Sequence, residues 1–334
     1  MLVSGANSLL GTNTIKVLLD EGYRVRGLLR HLSSFHLPPH PALEIIEGNM
    51  TDRDTLKKVL EGVTDVIHVA ACTRQDLPRY DQYRKVNVEA TEQLLGLVIE
   101  AEAKRFVYVS SANCFGYGTL ECPGNEQTPI CGPFKGSYYA RSKVEAQGNI
   151  LQYKDKIDIV IVNPNFMLGA YDSKPSSGRI IMMGYGKRVV FYPPGGKNFV
   201  HVGAAALGVV RAMERGRNGE HYLLSGENMD YRRFYDLLAE QTGDKPLYIR
   251  VPKPLLLTVG AIGNALRFVG IANDFTMPNM RILCINNYYS NHKAETELEV
   301  TIRPTSEAIR DALAWFEEKG MLPGGGKKDS SRIK

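Results

Sequence analysis

The sequence has no Cys-x-x-Cys pair and no Cys/His cluster, and its five cysteines, Cys72, Cys114, Cys122, Cys131 and Cys284, are odd in number. A zinc site and a secreted disulfide framework are therefore not expected; reduced thiols in a cytoplasmic setting fit better. No basic stripe interleaved with aromatics occurs, so no nucleic-acid partner is expected. No Gly-X-Y period occurs, which excludes a collagen-like chain. No signal peptide is expected, because Met1 opens directly into an apolar strand. The longest apolar stretch, 254–271, is interrupted by Asn264 and Arg267, so a membrane span is not expected. It reads as a pair of amphipathic segments over a substrate pocket, with a peripheral membrane contact as the alternative.

What is present is ample core material. Of 334 residues, 43% are hydrophobic and 23% charged, which suits one large domain or two intimate ones. The net charge is +5, of which the tail residues Lys327, Lys328, Arg332 and Lys334 against Asp329 supply +3. The first half alternates strand and helix patterns. Strands are expected at 1–4, 23–29, 43–48, 65–71, 105–111 and 157–163, and helices at 10–21, after Asp52, at 81–102 and at 137–153. Near-continuous apolar strands alternating with helices predict an α/β fold, a doubly wound parallel Rossmann sheet covered on both faces. After Asn163 the rhythm changes. Residues 1–163 read as the dinucleotide-binding domain. Residues 164–320 read mainly as a smaller, partly intercalated substrate domain with some returning Rossmann elements, loop-rich over 164–200. Residues 321–334 read as a disordered tail.

The first strand runs into Gly5-Ala6-Asn7-Ser8-Leu9-Leu10-Gly11 and then a helix. Gly5 permits the tight turn, and Gly11 close helix–strand packing. The amides at the helix start face a pyrophosphate, where the helix dipole favours an anion. Ser8 replaces the middle glycine of the usual pattern, and its hydroxyl can donate to phosphate. The second strand ends in Leu28-Leu29-Arg30-His31 without the carboxylate that an NAD site uses for the ribose. Arg30 can pair with a 2′-phosphate, so the expected cofactor is NADP, with NAD as the alternative.

Tyr139 and Lys143 lie four apart on a predicted helix and so share a face. A phenol with a reference pKa of about 10 is too weak an acid to cycle protons near neutrality; a neighbouring ammonium, Lys143, and an oxidised nicotinamide ring together would stabilise the phenolate and lower it. Ser111, ending the preceding strand, can donate to a substrate oxygen. A second Tyr-x-x-x-Lys, Tyr289 to Lys293, follows no Ser-Ser strand end and is read as a chance match. His68 and His201 read as packed core residues, Cys114 and Phe115 as pocket lining. Arg74, Arg79 and Arg84 suit either an acidic substrate or a solvated helix start.

These motifs, with His68-Val-Ala-Ala71, Val86-Asn87-Val88 and Ser110-Ser111-Ala112…Gly116, resemble the extended short-chain dehydrogenase/reductase superfamily over residues 1–320. The resemblance implies Ser111, Tyr139 and Lys143 as the triad, with Lys143 also on the nicotinamide ribose. It implies Asn87 as support for a proton-relay water, and Ala70, Ala71 and Pro164 beside the cofactor. Asn49-Met50 stands where the family usually has Asp-Leu against adenine. Asn163-Pro164-Asn165 through Gly169 is similar to the dihydroflavonol-4-reductase-like branch and to the hopanoid-associated sugar epimerases. Gly203-Ala204 replaces an expected acidic pair after His201. The activity implied is reduction of a ketone or aldehyde of a small organic substrate. The alternatives are a nucleotide-sugar epimerase with tightly bound NAD and a non-catalytic dinucleotide sensor, the latter opposed by the retained Tyr139 and Lys143. Homodimers through the long helices are also implied.

Overall fold

Residues 105–109 read Arg-Phe-Val-Tyr-Val, and the fold follows from such runs. Phe106 and Tyr108 point into one apolar layer while Val107 and Val109 point into another. That is the period-two alternation of a strand covered on both faces. The computed structural model describes residues 1–271 and 273–322. The first half comprises β1 (Leu2–Ser4), α1 (Leu9–Asp20), β2 (Val25–Leu29), β3 (Leu43–Glu47), α2 (Arg53–Leu60), β4 (Asp65–His68), α3 (Tyr80–Arg84), α4 (Ala90–Glu100), β5 (Arg105–Val109), α5 (Tyr138–Leu151) and β6 (Asp158–Pro164). A π turn, Lys85–Glu89, joins α3 to α4. Helix starts carry the side chains that satisfy otherwise unpaired amides. Ser8 accepts from Gly11 N at 3.0 Å, Asp52 from Asp54 N at 3.1 Å and Ser137 from Ala140 N at 3.3 Å.

The second half adds β7 (Phe166–Leu168), α6 (Arg179–Gly184), β8 (Val189–Tyr192), β9 (Gly196–His201), α7 (Val202–Arg215), β10 (His221–Leu224), β11 (Glu227–Asp230), α8 (Tyr231–Thr242), β12 (Leu247–Arg250), α9 (Lys253–Phe268), α10 (Met277–Ile282), β13 (Asn286–Asn287), α11 (His292–Leu298) and α12 (Thr305–Glu318). Seven strands form one sheet in the order β3-β2-β1-β4-β5-β6-β10, parallel throughout. One face buries Leu10, Ile15 and Leu18 of α1 with Val209 of α7. The other buries Leu56 of α2, Leu94 and Val98 of α4, and Ile150 of α5. β1 and β4 are neighbours from which the chain winds in opposite directions, and the crevice beyond their carboxyl ends is where such sheets bind ligands. A third apolar cluster, with Phe199 stacked on Phe234 at 4.6 Å, joins α8, α12 and β9.

Three expectations need correction. Residues 164–200 are not mainly loop: they hold β7, α6 and β8. These elements are too short to show a clear period, and β8 finds its partner only in β12, far along the chain. Residues 254–271 are not two segments, because α9 is continuous to Phe268, with Gly260 facing inward against α10 and Gly263 against the segment before it. The expected tail does not start at 321, since Leu322 packs in the third cluster; the remainder, 323–334, lies outside the described residues. Among the described residues no helix is long and apolar enough to cross a membrane.

Candidate active site

Gly5 follows β1 with φ +70°, a conformation that a side chain strains. A Cβ there would lie 2.8 Å from the amide of Ala70, so glycine lets the turn close against the Val69–Ala70 backbone just beyond β4. A Cβ on Gly11 would lie 2.2 Å from the Gly5 carbonyl. Ser8 holds the loop between them: its hydroxyl donates to Gly5 O at 2.7 Å and accepts from Gly11 N. That hydroxyl is committed to the loop, which corrects its expected donation to phosphate. Among the described residues nothing accepts from the amides of Leu9 and Leu10. Leu10's side chain is core, so these residues offer backbone donors only. Two open amides at a helix start, above a turn that admits no Cβ, fit a dinucleotide pyrophosphate. Asn7 ties this loop to the segment after β2, donating from Nδ2 to Ser34 Oγ at 2.5 Å.

At the adenine end, Arg30 is exposed directly after β2 and forms no ion pair with another described residue. Glu47, closing β3, is a nearby carboxylate that sequence reasoning did not single out; its Oε2 accepts from the Leu32 amide at 2.8 Å. Asn49 accepts from Thr51 N at 3.1 Å, and Met50 packs against the core.

Ser111 stands two residues beyond the end of β5. Its Oγ accepts from Asn113 N at 3.3 Å, and its carbonyl accepts from Asn163 Nδ2 at 2.9 Å, which fixes the strand end to β6 and the buried Pro164. Tyr139 lies in the first turn of α5, half-buried, and Lys143 one turn further, fully buried. Lys143 Nζ donates to the Tyr108 hydroxyl at 3.2 Å and to the Val109 carbonyl at 2.8 Å. Burial lowers the Lys143 pKa to about 8. Burial also pushes Tyr139 well above its ordinary value, and Ser111 is the side chain that draws it back. In the chain alone, burial outweighs the groups that lower this phenol. The ammonium is turned to Tyr108 and Val109, and desolvation dominates.

Asn87 sits in the π turn. Its Oδ1 accepts from Cys72 N at 2.7 Å, and its Nδ2 donates to Cys72 O at 3.1 Å and Ser142 Oγ at 2.9 Å. Its carbonyl accepts from Thr91 Oγ1 at 2.9 Å. Asn87 thus straps the segment after Ala71 to α5, and Ser111, Tyr139, Lys143, Asn87 and the glycine turn all lie toward the sheet's carboxyl edge.

Other candidates separate from this site. Tyr289 precedes α11 while Lys293 lies within it, so the second motif does not share a helical face. Lys293 pairs with Glu220 at 2.6 Å and the His221 carbonyl at 2.7 Å; the buried Tyr289 donates to the Phe115 carbonyl at 3.4 Å. His68 is locked between Ser4 Oγ at 2.6 Å and Thr91 Oγ1 at 2.9 Å. His201 caps α7, accepting from Gly203 N at 2.9 Å, and reaches Asp311 at 2.9 Å. Arg74, Arg79 and Arg84 are paired with Asp76, Asp81 and Glu89 respectively, and Arg84 also with Glu145 at 2.9 Å. Cys114 and Phe115 are buried. Besides Glu47, sequence reasoning missed two further groups. Tyr108 carried a signal, its place three residues before Ser111 on the same strand. Lys197 on β9 carried none: its amine lies 4.8 Å from the centre of the Phe166 ring, has no carboxylate partner among the described residues, and is lowered by burial to about 8.

A glycine turn, a buried Lys beneath a Tyr and a strand-end Ser on a parallel sheet define a dinucleotide-dependent oxidoreductase. A model of the NAD dependent epimerase/dehydratase family matches residues 1–225. Sterol demethylase protein B of Methylococcus capsulatus is 30% identical over 328 residues, covering 96% of this chain and 99% of that protein. A putative dihydroflavonol 4-reductase of Synechocystis is 29% identical over 332 residues, covering 96% and 95%. The crystal structure of gox2253 matches with a TM-score of 0.82 and 30% identity, covering 96% of this chain and 99% of that one. The chain belongs to the NAD dependent epimerase/dehydratase family and is an NAD(P)-dependent oxidoreductase.

Proposed function

We propose that the protein is an NADP-dependent reductase of a ketone or aldehyde on a small organic substrate. The observation that carries this reading is the placement of Tyr139 and the buried Lys143 one turn apart on α5, with Ser111 at the neighbouring strand end and burial raising the Tyr139 pKa. A group held protonated well above neutrality is ready to give a proton to a carbonyl oxygen as that oxygen gains charge. Ser111 holds that oxygen; Tyr139 supplies the proton; Lys143 keeps a positive charge below both. Bound NADPH supplies the hydride. The unpaired Arg30 supports the phosphorylated dinucleotide over NAD. Two relatives support a bulky cyclic ketone: the putative dihydroflavonol 4-reductase and a farnesylated dihydroquinoline-oxide ketoreductase of Stigmatella aurantiaca. A cytoplasmic setting belongs to this reading, supported by five unpaired cysteines, as does a homodimer through the long helices.

The test is NADPH oxidation by purified protein against a panel of cyclic ketones. Consumption with product alcohol supports the reading. A second reading, nucleotide-sugar epimerase, has one observation in its favour: the unpaired Lys197 amine over Phe166 suits an anionic group. Thermal stabilisation by UDP- or GDP-sugars, copurified NAD and no NADPH consumption would replace the first reading by the second.

A further inference from the structure

Helix α9 leaves much of its apolar surface in water. Its inward face carries Gly260 and Gly263, which let α10 and the Phe275 carbonyl approach, with Leu256, Leu257, Val259 and Arg267 half-buried around them. Asn264 accepts from Met277 N at 3.1 Å, and Arg267 donates to the Asp76 carbonyl at 3.0 Å. The outward face carries Leu255, Ile262, Leu266 and Val269 at helical spacing, all exposed. Phe268 is 93% exposed, and Ile271 and Phe275 extend the patch. β12 leads directly into α9, and on the β8–β12 ribbon Val189, Phe191, Leu247 and Ile249 also face solvent. Arg179 pairs with Asp274 at 3.3 Å and so ties α6 to the segment after α9. A monomer in water rarely leaves so much contiguous apolar surface uncovered.

The charges around this surface choose its occupant. Residues 179–192 and 245–282 contain eight basic residues, Arg179, Lys187, Arg188, Lys245, Arg250, Lys253, Arg267 and Arg281, and one acid, Asp274. A twofold contact between two copies would set this positive surface against itself. An apolar ridge flanked by Lys and Arg is instead the pattern of a helix lying in the plane of an anionic bilayer surface. We propose that α9 with Phe268, Val269, Ile271 and Phe275 is a peripheral docking surface for anionic lipid, with the exposed Lys187, Arg188, Lys245, Arg250, Lys253 and Arg281 contacting headgroups. This does not depend on the reaction catalysed.

The test is co-sedimentation of the full chain with phosphatidylcholine/phosphatidylglycerol vesicles, with pure phosphatidylcholine as control. The variant is Phe268→Ser/Ile271→Ser, whose side chains lie outside every apolar cluster; thermal stabilisation by NADP+ checks that it is folded. Wild type should pellet with the anionic vesicles only, less so at high salt, and the double variant at least about tenfold less. Wild type remaining in the supernatant, or a folded variant pelleting like wild type, overturns the proposal. So does a concentration-dependent dimer that the variant abolishes without vesicle binding, which would give this face to a second copy.

Discussion

Lys143 Nζ is held by two acceptors of the strand beneath it, the Tyr108 hydroxyl at 3.2 Å and the Val109 carbonyl at 2.8 Å. Both favour the ammonium, against a burial that draws its pKa down to about 8. The lysine charge is therefore present below about pH 8 and lost above it. The rate of carbonyl reduction should fall as pH rises through that value. Tyr108→Phe removes one acceptor of the charged form, so it should move this alkaline limb to lower pH. A pH profile of kcat shows the shift; an unmoved limb rejects the positioning role of Tyr108.

Arg30 sets cofactor choice in the proposed reading. Arg30→Ala should raise KM for NADPH by about tenfold and leave KM for NADH within about twofold. Steady-state kinetics with both cofactors measure this. Equal effects on the two would remove Arg30 from the 2′-phosphate.

Gly5 takes a left-handed conformation and faces the Ala70 backbone. Gly5→Ala should cost roughly 1–3 kcal/mol of stability and weaken dinucleotide binding. Urea unfolding and NADP+ titration read the two effects; wild-type values in both would show that the turn accommodates a methyl group.

Much of this was legible in the sequence, for identifiable reasons. Strands such as 105–109 are buried on both faces and so are continuously apolar, and the Gly5 turn sits at a fixed place between a strand and a helix. The Tyr139–Lys143 pair was visible because four residues make about one helical turn. The direction of the Tyr139 shift was not, because desolvation depends on what packs around the phenol. Ser8 was misread because its hydroxyl serves the loop's own amide and carbonyl. Lys197 was invisible because only the pairing of β7 with β9 brings it over Phe166.

His68 is buried and His221 half-buried, and desolvation lowers their pKa values to about 3 and about 4. In the unfolded chain both protonate near the ordinary value of about 6.5. Between that value and about 3 the unfolded state binds more protons, so stability falls as pH falls. From pH 7 to pH 5 the loss should be ~2 kcal/mol per histidine. His68→Gln should reduce this slope in urea unfolding at the two pH values; an unchanged slope contradicts the assignment.

The central claim is that the Tyr139 hydroxyl gives the substrate oxygen its proton. It is tested most directly by single-turnover NADPH oxidation in Tyr139→Phe beside wild type, with NADPH affinity measured on both. The account predicts a reduction step slowed at least about a thousandfold with affinity within about twofold. A phenylalanine enzyme that turns over within about tenfold of wild type would contradict it.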